Sequence, residues 1–459
     1  MVNMNTSRFS AAARLDRLPI LKFHRKLFGL VAGGMFLDNF DIYVAGAIMA
    51  VLLNQSWSTL DLNAAFVSAT FAGMLIGTIG TGLIADKFGR RLTFQFNLAI
   101  FGIASILCAI APDMHYLIFF RFLCGIGLGA ELVVGYSTLA EFTPPARRGR
   151  WQALMSMISS FGLLASTLLS FLLIPYFGWR IMLLLPGIAA IILLLMRKAI
   201  PESPRWLELQ GRHGEADKIV SNIEQEANSG GISLTKPHSM DVRAPERIFQ
   251  RKFIRPLLLG TILQVVMFAA VYGLVSWVPT FLTNQGMSLN QSLAHTVLMA
   301  CGGPVGAFFA QLLADRLGRR KAIIFGSLIA ALMALLFGYA STQLMVTIIG
   351  FATFVAVFFL LATVQAVYLP ELFPTEVRMR CNSFCIGIAR ISSIVTPFII
   401  VSLFEQGGLL LVLGVIAALF LIQAIAMLFL GVETSRRSID DVLEDLVATQ
   451  KMATAEDCK

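Results

Sequence analysis

Two long apolar runs are joined by the stretch Gly82-Leu-Ile-Ala-Asp86-Lys-Phe-Gly89-Arg90-Arg91, and a near-copy, Leu312-Leu-Ala-Asp315-Arg-Leu-Gly318-Arg319-Arg320, joins two more in the second half. An acid, a glycine turn and paired arginines are too costly to place in hydrocarbon, so each copy is predicted to be a short loop at a membrane face. Arginine in such loops marks the cytoplasmic face. The pattern predicts a membrane protein built from two similar halves.

The composition also fits a protein that lies mostly in the bilayer. Of the 459 residues, 57% are hydrophobic and 14% are charged, whereas about a quarter of the residues of a soluble protein are charged. The net charge of +9 comes from short loops between apolar runs, which is the positive-inside pattern rather than a nucleic-acid-binding stripe. The six cysteines have no metal-ligand spacing, and the N-terminus shows no signal peptide. We therefore expect neither a nucleic-acid partner nor a metal.

Twelve apolar runs of spanning length divide the chain into two sets of six. They lie near 28–53, 64–85, 93–111, 115–137, 153–175 and 180–198, and near 256–281, 293–314, 322–340, 344–368, 382–403 and 409–431. The predicted domains are a cytoplasmic amphipathic segment against the headgroups (1–27), a six-helix bundle (28–198), a cytoplasmic connector (199–254), a second six-helix bundle (255–433) and a cytoplasmic tail (434–459). Loops rich in Lys and Arg alternate with loops nearly free of them, which predicts that both termini are cytoplasmic.

The connector contains its own local signals. Ser203-Pro204 predicts the start of a helix, because serine caps helices and proline suits the first helical position. The segment from Glu215 to Glu226 predicts a short surface helix. The run Ser229-Gly230-Gly231, followed by Pro237 and Pro245, predicts a flexible stretch.

Three acidic anchors recur at almost one offset. Asp86 and Asp315 lie 229 residues apart, Glu141 and Glu371 lie 230 apart, and Glu202 and Glu433 lie 231 apart. A shared offset between equivalent motifs indicates two parallel repeats of six helices.

These motifs resemble those of the major facilitator superfamily, in its sugar-porter-like clan. The resemblance rests on the doubled Asp-x-x-Gly-Arg-Arg loop, on Arg121-Phe-Leu-Cys-Gly125-Ile-Gly127-Leu-Gly129, on Glu141 with Arg148-Gly149-Arg150, and on Pro201-Glu202-Ser203-Pro204-Arg205. It covers about residues 15 to 440 and implies an all-α membrane protein with twelve transmembrane helices in two pseudo-symmetric bundles. Leu15-Asp-Arg-Leu-Pro19, Phe36-Leu-Asp38-Asn-Phe-Asp41 and Gly127-Leu-Gly129-Ala-Glu131 further resemble bacterial nicotinate and aromatic-acid permeases, relatives of the organic ion transporters and synaptic-vesicle-type proteins.

Charged residues inside the predicted spans are candidates for function, because each costs at least ~2.5–3.5 kcal/mol at the centre of a bilayer. Asp38 and Asp41 share a face of the first span, and Arg121 on the fourth span falls at a depth similar to that of Asp41. One interpretation is a static pair that neutralises both groups. The other is a proton-coupling device in which the carboxylate takes up a proton when it leaves the arginine.

Two further features lie on the fourth span. Glu131 lies nearer its cytoplasmic end, where it would relay the proton or cap a neighbouring helix. Gly125, Gly127 and Gly129 look like a dinucleotide-binding fingerprint, but no strand precedes them, and their position in an apolar helix favours close helix packing.

In the second half, Arg390 is the deep charge of the eleventh span, and no acid lies near it on its own helix. A guanidinium facing a cavity would bind a substrate carboxylate through two hydrogen bonds; the alternatives are an ion pair with an acid of the first half or a snorkelling side chain. The resemblance to organic anion transporters, which carry a cationic residue on this helix, favours the anion site. Gln264 is a candidate hydrogen-bond partner of the ligand, and Tyr43, Tyr272 and Trp277 would form aromatic walls, unless they are ordinary packing or interfacial residues.

Acids and arginines also gather at the predicted cytoplasmic ends of the helices. In the superfamily such charges form a latch that closes the cytoplasmic side in the outward-open state, and the resemblance implies this role here. The alternative is that the arginines simply anchor the loops, which leaves the repeated acids unexplained. The predicted gate comprises Asp86, Arg90, Arg91, Glu141, Arg148, Glu202, Arg205, Asp315, Arg319, Arg320, Glu371, Arg378 and Glu433.

The leading functional hypothesis is proton-coupled uptake of a small organic anion, most simply an aromatic monocarboxylate such as nicotinate, by a monomer in the cell membrane that needs no cofactor besides the coupling proton. Sugar uptake shares the loop signatures, but the seventh span reads Gln264-Val-Val-Met-Phe-Ala and lacks the paired Gln and later Asn of sugar porters. Efflux by antiport is less favoured because residues 153–173 lack the proline of the Gly-Pro bend. A receptor without transport has no visible signalling domain, and an enzyme has no triad, metal cluster or phosphate loop.

Overall fold

The computed structural model describes residues 10–198, 200–229, 250–373 and 377–434, and these residues form helices joined by short loops, with no strand among them. The predicted flexible stretch at Gly230, Gly231, Pro237 and Pro245, and the tail from residue 435 onward, lie outside the described residues.

Among the described residues up to 229, the chain forms nine helices. A short helix precedes six long ones, and two more lie in the connector. They are α1 (Ala11–Asp16), α2 (Lys22–Asn54), α3 (Leu60–Phe88), α4 (Arg90–Ala109), α5 (Met114–Phe142), α6 (Pro145–Phe177), α7 (Ile181–Arg197), α8 (Pro204–Leu209) and α9 (His213–Ser229). Two of the predicted connector features are present: Ser203 accepts a hydrogen bond from the Trp206 amide at the start of α8, and α9 contains the predicted surface helix.

The second part of the chain is also helical, and a π-helical turn follows two of its helices. Its helices are α10 (Arg251–Ala270), α11 (Val278–Asn284), α12 (Leu289–Ala300), α13 (Gly302–Leu317), α14 (Arg319–Gly338), α15 (Gln343–Leu361), α16 (Leu369–Glu371) and α17 (Arg378–Leu430). A π-helical turn (Val271–Val275) extends α10, and another (Ala362–Tyr368) extends α15. Such turns inside helices are frequent at functional sites.

The predicted number of spans agrees with the structure. Ten helical segments of the described residues are long and apolar enough to cross a membrane, and α7 is a shorter apolar helix of 17 residues. The longest segment, α17, contains two predicted spans, because the helical path is broken at Gly407 and Gly408. Gly408 has φ +65°, a conformation that glycine adopts without steric cost. The all-α fold with about twelve spans is therefore confirmed, and the chain is a multi-pass membrane protein.

The chain forms two compact units; the first draws on the first half of the sequence and the connector, and the second draws on both halves. The first comprises Met1–Ile42, Ala72–Gly162 and Arg180–Val242; the second comprises Tyr43–Phe71, Leu163–Trp179 and Arg243–Lys459. This division differs from the predicted boundaries at 28–198 and 255–433, because parts of α2, α3 and α6 pack with helices of the second half. The division into two six-helix bundles, which was inferred from the sequence repeat, stays a prediction.

Close contacts in the second unit explain why those parts belong to it. The Ser68 hydroxyl donates a hydrogen bond to the Ile394 carbonyl at 2.7 Å, and the Phe71 ring centroid lies 4.4 Å from that of Tyr272. A side chain at Gly46 would collide with the Ser276 carbonyl. At the ends of α2 and α3 remote from the Gly89 loop, the two halves of the sequence therefore approach at backbone distance.

The N-terminal segment differs from its prediction as a helix whose apolar side faces headgroups. Leu15 and Leu18 are buried in a core with Leu207, Val220 and Ile223 of the connector. The side chains of Leu15 and Leu18 thus contact protein rather than lipid.

Candidate functional site

Asp41 of α2 and Arg121 of α5 form an ion pair inside the first unit, as their equal depth predicts. Arg121 Nη1 donates to Asp41 Oδ2 at 2.7 Å, and the two side chains are 0% and 1% exposed. Among the described residues, nothing donates a hydrogen bond to Asp41 Oδ1, although this atom is buried. One carboxylate oxygen is therefore satisfied and the other is not. Asp38, one turn earlier on α2, is also buried.

Small residues bring α5 close enough to its neighbours to place Arg121. A side chain at Gly129 would collide with the Met74 carbonyl of α3, and one at Gly127 would lie 2.7 Å from the Asn97 carbonyl of α4. The glycines that resemble a dinucleotide fingerprint therefore serve helix packing, which confirms that interpretation.

Glu131, ten residues after Arg121 on α5, has a different environment. Arg197, the last residue of α7, donates to both of its carboxylate oxygens, at 2.6 and 2.9 Å. Arg197 also donates to the Leu30 carbonyl at 2.7 and 3.2 Å, and its guanidinium carbon lies 4.5 Å from the Phe94 ring centroid. Both charged side chains are at most 2% exposed. The pair joins α5, α7 and α2 through an almost fully bonded carboxylate.

Sequence reasoning missed Arg197 as a partner. The residue ends an apolar run and precedes Lys198, so it reads as one more basic residue at the membrane boundary. The available signal was depth, because Glu131 near the end of the fourth span and Arg197 at the end of the sixth fall at the same level.

Arg390 and Gln264 lie buried in the second unit, at 4% and 0% exposure. Neither amide atom of Gln264 has a hydrogen-bond partner among the described residues. A buried amide without partners costs about 1–3 kcal/mol, so a ligand or water that binds it would recover that cost. Arg390 lies close enough to Tyr272 for an electrostatic interaction between their side chains, and Tyr272 belongs to the π-helical turn that extends α10.

The three predicted aromatic walls are packed against other rings. Tyr43 contacts Phe358, with ring centroids 6.4 Å apart, and Trp277 stacks on Phe281 at 6.2 Å. Tyr43 also lines a cavity of about 10 Å³, which is roughly the space of one water molecule. In this arrangement Tyr43 and Trp277 therefore pack like core residues, and their predicted contact with a ligand stays a prediction.

The charges at the arginine-rich loops form one network in each unit; we call this end of each unit its arginine end. In the first unit Arg90 Nε donates to Glu141 at 3.0 Å, and the Arg90 and Arg91 amides donate to Glu202 at 2.8 and 3.2 Å. Glu202 thus caps the N-terminus of α4, where the helix dipole favours a carboxylate. Arg205 donates to the Glu141 carbonyl at 3.0 Å.

The arginine end of the second unit repeats this geometry. Arg319 Nε donates to Glu371 at 3.1 Å, and the Arg319 and Arg320 amides donate to Glu433 at 2.8 and 3.2 Å. Gly89 and Gly318 both have positive φ, at 91° and 84°, and a side chain at either would collide with the capping glutamate. The repeat inferred from the sequence offsets is therefore visible in the hydrogen bonds.

Four side chains of the predicted gate lie outside the description: Asp86, Arg148, Asp315 and Arg378. The ion pairs seen among the other gate residues each lie within one unit. They hold helix ends together inside a unit, and the predicted latch between the two halves stays a prediction.

Comparison with known proteins places this arrangement in a family. The family model described as Sugar (and other) transporter matches residues 27–446. The chain is 34% identical to the inner membrane metabolite transport protein YdjE of Escherichia coli (strain K12), with 94% of this chain and 98% of that protein covered. It is 31% identical to the niacin transporter NiaP of Acinetobacter baylyi, covering 94% and 99%, and 30% identical to the 4-hydroxybenzoate transporter PcaK of Pseudomonas aeruginosa, covering 88% and 93%.

The fold is similar to that of the xylose transporter XylE from E. coli in its partially occluded inward open conformation. The TM-score is 0.71, with 91% of this chain and 99% of that one covered, at 18% sequence identity. This likeness shows the fold alone. Because the family match covers nearly all of the described chain and the relatives align over almost their full length, the chain belongs to the sugar (and other) transporter family of the major facilitator superfamily and is a metabolite transporter, not an enzyme.

Proposed function

We propose that this transporter carries a small aromatic monocarboxylate, such as nicotinate, into the cell together with a proton. The observation that carries the proposal is the Asp41 carboxylate, which is fully buried, bonded to Arg121 through one oxygen, and without a hydrogen bond from the described residues at the other. Two relatives, each about 30% identical, are named as transporters of niacin and of 4-hydroxybenzoate, both aromatic monocarboxylates.

The coupling step follows from the environment of Asp41. While Arg121 is within hydrogen-bond distance, its positive charge favours the ionised carboxylate. When a conformational change separates the two, burial favours the neutral acid, and Asp41 takes up a proton. When the pair forms again, the proton leaves. Glu131 is not assigned this role, because Arg197 occupies both of its oxygens.

The anion is assigned to Arg390, which is buried in a span of the second unit. A guanidinium offers a planar pair of N–H donors that match a carboxylate, and Gln264 can donate to or accept from a ring substituent or nitrogen. Tyr272, electrostatically close to Arg390, supplies an aromatic surface.

The orientation belongs to the same proposal. The arginine ends are assigned to the cytoplasm by the positive-inside rule, so both termini are cytoplasmic and the membrane is the cell membrane. The contacts of Gly46, Ser68 and Phe71 then lie on the extracellular side.

Uptake into proteoliposomes tests the proposal. Purified protein is reconstituted, an inward proton gradient is imposed, and accumulation of radiolabelled nicotinate, 4-hydroxybenzoate and xylose is followed with and without the gradient. We expect the gradient to drive an aromatic acid above its equilibrium level and to leave xylose unchanged. The Arg390→Lys variant keeps the charge but loses the planar fork, and we expect a KM for the aromatic acid at least tenfold higher.

Three outcomes would each contradict one part of the proposal. Accumulation of xylose instead of the acids would assign a sugar substrate, and accumulation that ignores the gradient would remove proton coupling. An unchanged KM in the Arg390→Lys variant would remove Arg390 from the anion site.

A further inference from the structure

A cavity of about 690 Å³ lies at the arginine end of the first unit, between the segment that precedes α2 and the start of α6. One wall is formed by residues from Asp16 to Ile20 and by Arg25. The other is formed by Pro144, Arg147, Arg150, Trp151 and Leu154. The proposed transport step does not use this cavity, and the gate residue Arg205 meets its lining through Asp16.

The cavity is strongly basic. Four guanidinium groups line it, those of Arg17, Arg25, Arg147 and Arg150, against the single carboxylate of Asp16. That carboxylate is already bonded to Arg205 at 2.6 Å, and Arg17 is bonded to Glu224 at 2.6 Å. Within the part of the chain that the structure describes, Arg25, Arg147 and Arg150 form no ion pair with an acidic side chain, and Arg147 and Arg150 are exposed. The cavity therefore holds an excess of positive charge.

An apolar surface continues from the cavity along α6. Leu154 both lines the cavity and begins a stripe of exposed side chains whose spacing keeps them on one face of the helix. The stripe comprises Leu154, Met157 and Phe161. Trp151 lies at its basic end, with its ring centroid 4.9 Å from that of Phe28. Tryptophan and arginine at the end of an apolar helix face are typical of the boundary between headgroups and acyl chains.

We propose that this cavity binds the phosphate headgroup of an anionic phospholipid, with the acyl chains lying along the α6 stripe. Arg147, Arg150 and Arg25 supply donors for the phosphate oxygens, and the volume is sufficient for a phosphoglycerol headgroup. A soluble phosphate would use the same guanidinium groups but would gain nothing from the adjoining apolar stripe. The site thus selects a lipid by combining charge with an acyl-chain surface.

Lipid titration of the purified full-length protein tests the proposal. The protein in detergent is titrated with phosphatidylglycerol or with phosphatidylcholine of the same acyl chains, and bound lipid is counted by native mass spectrometry. We expect tight binding of phosphatidylglycerol only, weakened roughly thirtyfold in Arg147→Gln/Arg150→Gln, because each basic side chain near an anionic surface contributes about a factor of five to ten. The control, Arg316→Gln/Lys321→Gln, removes the same charge from the exposed helix ends on either side of Gly318, and we expect it to bind like the parent.

Further variants keep the proposal open to contradiction. Arg25 lies on the other wall of the cavity, and Arg25→Gln should weaken phosphatidylglycerol binding severalfold. This variant tests the site even if Arg147→Gln/Arg150→Gln fails to fold. Leu154→Gln should weaken lipid binding but leave binding of inorganic phosphate unchanged. Equal affinity of parent and Arg147→Gln/Arg150→Gln, or an equal loss in the control, would overturn the site. Full displacement of the lipid by millimolar inorganic phosphate would assign the cavity to a soluble anion and overturn the lipid assignment.

Discussion

Two buried ion pairs lie ten residues apart on α5, and they differ in how completely the carboxylate is bonded. Arg197 bonds both oxygens of Glu131 and is itself fixed by the Leu30 carbonyl and the Phe94 ring. Arg121 bonds one oxygen of Asp41, and the other accepts no hydrogen bond from the described residues. A fully bonded buried pair resists separation, whereas a half-bonded pair is closer in free energy to its separated, protonated form.

The position of each pair along the chain reinforces this difference. The boundary between the two compact units falls between Ile42 and Tyr43, one residue after Asp41. Glu131, Arg197 and Leu30 all lie well inside the segments of the first unit. A rearrangement at the unit boundary of α2 would therefore act on Asp41 before it acts on Glu131. We infer that the Asp41 pair moves and that the Glu131 pair holds three helices together.

The largest expected effect separates the two carboxylates by their role in coupling. Asp41→Asn keeps the shape of the side chain but cannot take up a proton. We expect gradient-driven accumulation to fall to the level measured without a gradient, while exchange of substrate across the membrane continues. Glu131→Gln is the matched variant. We expect the folded fraction of this variant to keep gradient-driven accumulation of the substrate. Gradient-driven accumulation that survives in Asp41→Asn, or is lost only in Glu131→Gln, would reverse the assignment.

The second prediction concerns stability. Removing one partner of a fully buried pair leaves a charge without compensation, which costs about 3–5 kcal/mol. We expect Arg197→Met alone to lower the thermal unfolding temperature strongly, and the double variant Glu131→Leu/Arg197→Met to recover much of the loss. A double variant no more stable than Arg197→Met would show that the pair is not the reason for the loss. Both are measured by thermal unfolding in detergent.

The third prediction tests whether the end of α2 beyond Asp41 changes its packing during transport. A large side chain at Gly46 would collide with the Ser276 carbonyl, so the contact seen here could not form. Gly46→Trp should bind substrate but transport at least tenfold more slowly, since one of the two states is blocked. Gly80→Ala is the control, because a methyl group there meets nothing within 4 Å. Normal transport by Gly46→Trp would mean that this contact is dispensable.

The smallest effect is expected at a third set of ion pairs, outside the spans, where Arg14 and Arg17 bind Glu224 and hold α1 against α9. Burial, which would raise the pKa of Glu224, is outweighed by hydrogen bonds from Arg14 and Arg17, which hold that pKa below its ordinary value. The stabilisation is therefore complete above the ordinary carboxyl pKa and is lost as the pH falls through the lowered value. The protection of the α1 amides from hydrogen exchange, measured relative to the intrinsic exchange rate at each pH, should fall severalfold between about pH 6 and about pH 3.

The matched variants for this effect are Glu224→Gln and Glu215→Gln. Glu224→Gln should show low protection in α1, relative to the intrinsic exchange rate, at all pH values. Glu215 pairs with Arg212 on the exposed surface, and Glu215→Gln should leave exchange in α1 unchanged. If α1 exchanges equally in Glu224→Gln and in the parent at neutral pH, the contact of Glu224 with Arg14 and Arg17 is not what holds α1 in place.

The amino-acid sequence by itself determined the spans, the internal repeat and the depth of each buried charge. Hydropathy and the rise per residue of a helix give the position of each residue along the membrane normal. The Asp41–Arg121 pair could therefore be predicted from the sequence. The recurrence of the acids at one offset predicted that Glu202 and Glu433 occupy equivalent positions, and both accept hydrogen bonds from backbone amides at the start of a helix.

Only the tertiary structure decided which residues of neighbouring helices contact each other. Arg197 finds Glu131, Gly46 meets Ser276, and the apolar side of α1 faces the connector rather than lipid. An apolar helix is hydrophobic on every side, since its lipid-facing and protein-facing surfaces use the same residue types, so its sequence carries little information about which neighbour lies on which side. The depth of a residue in the membrane depends on its own helix alone, whereas the residues that it contacts depend on how several helices pack together.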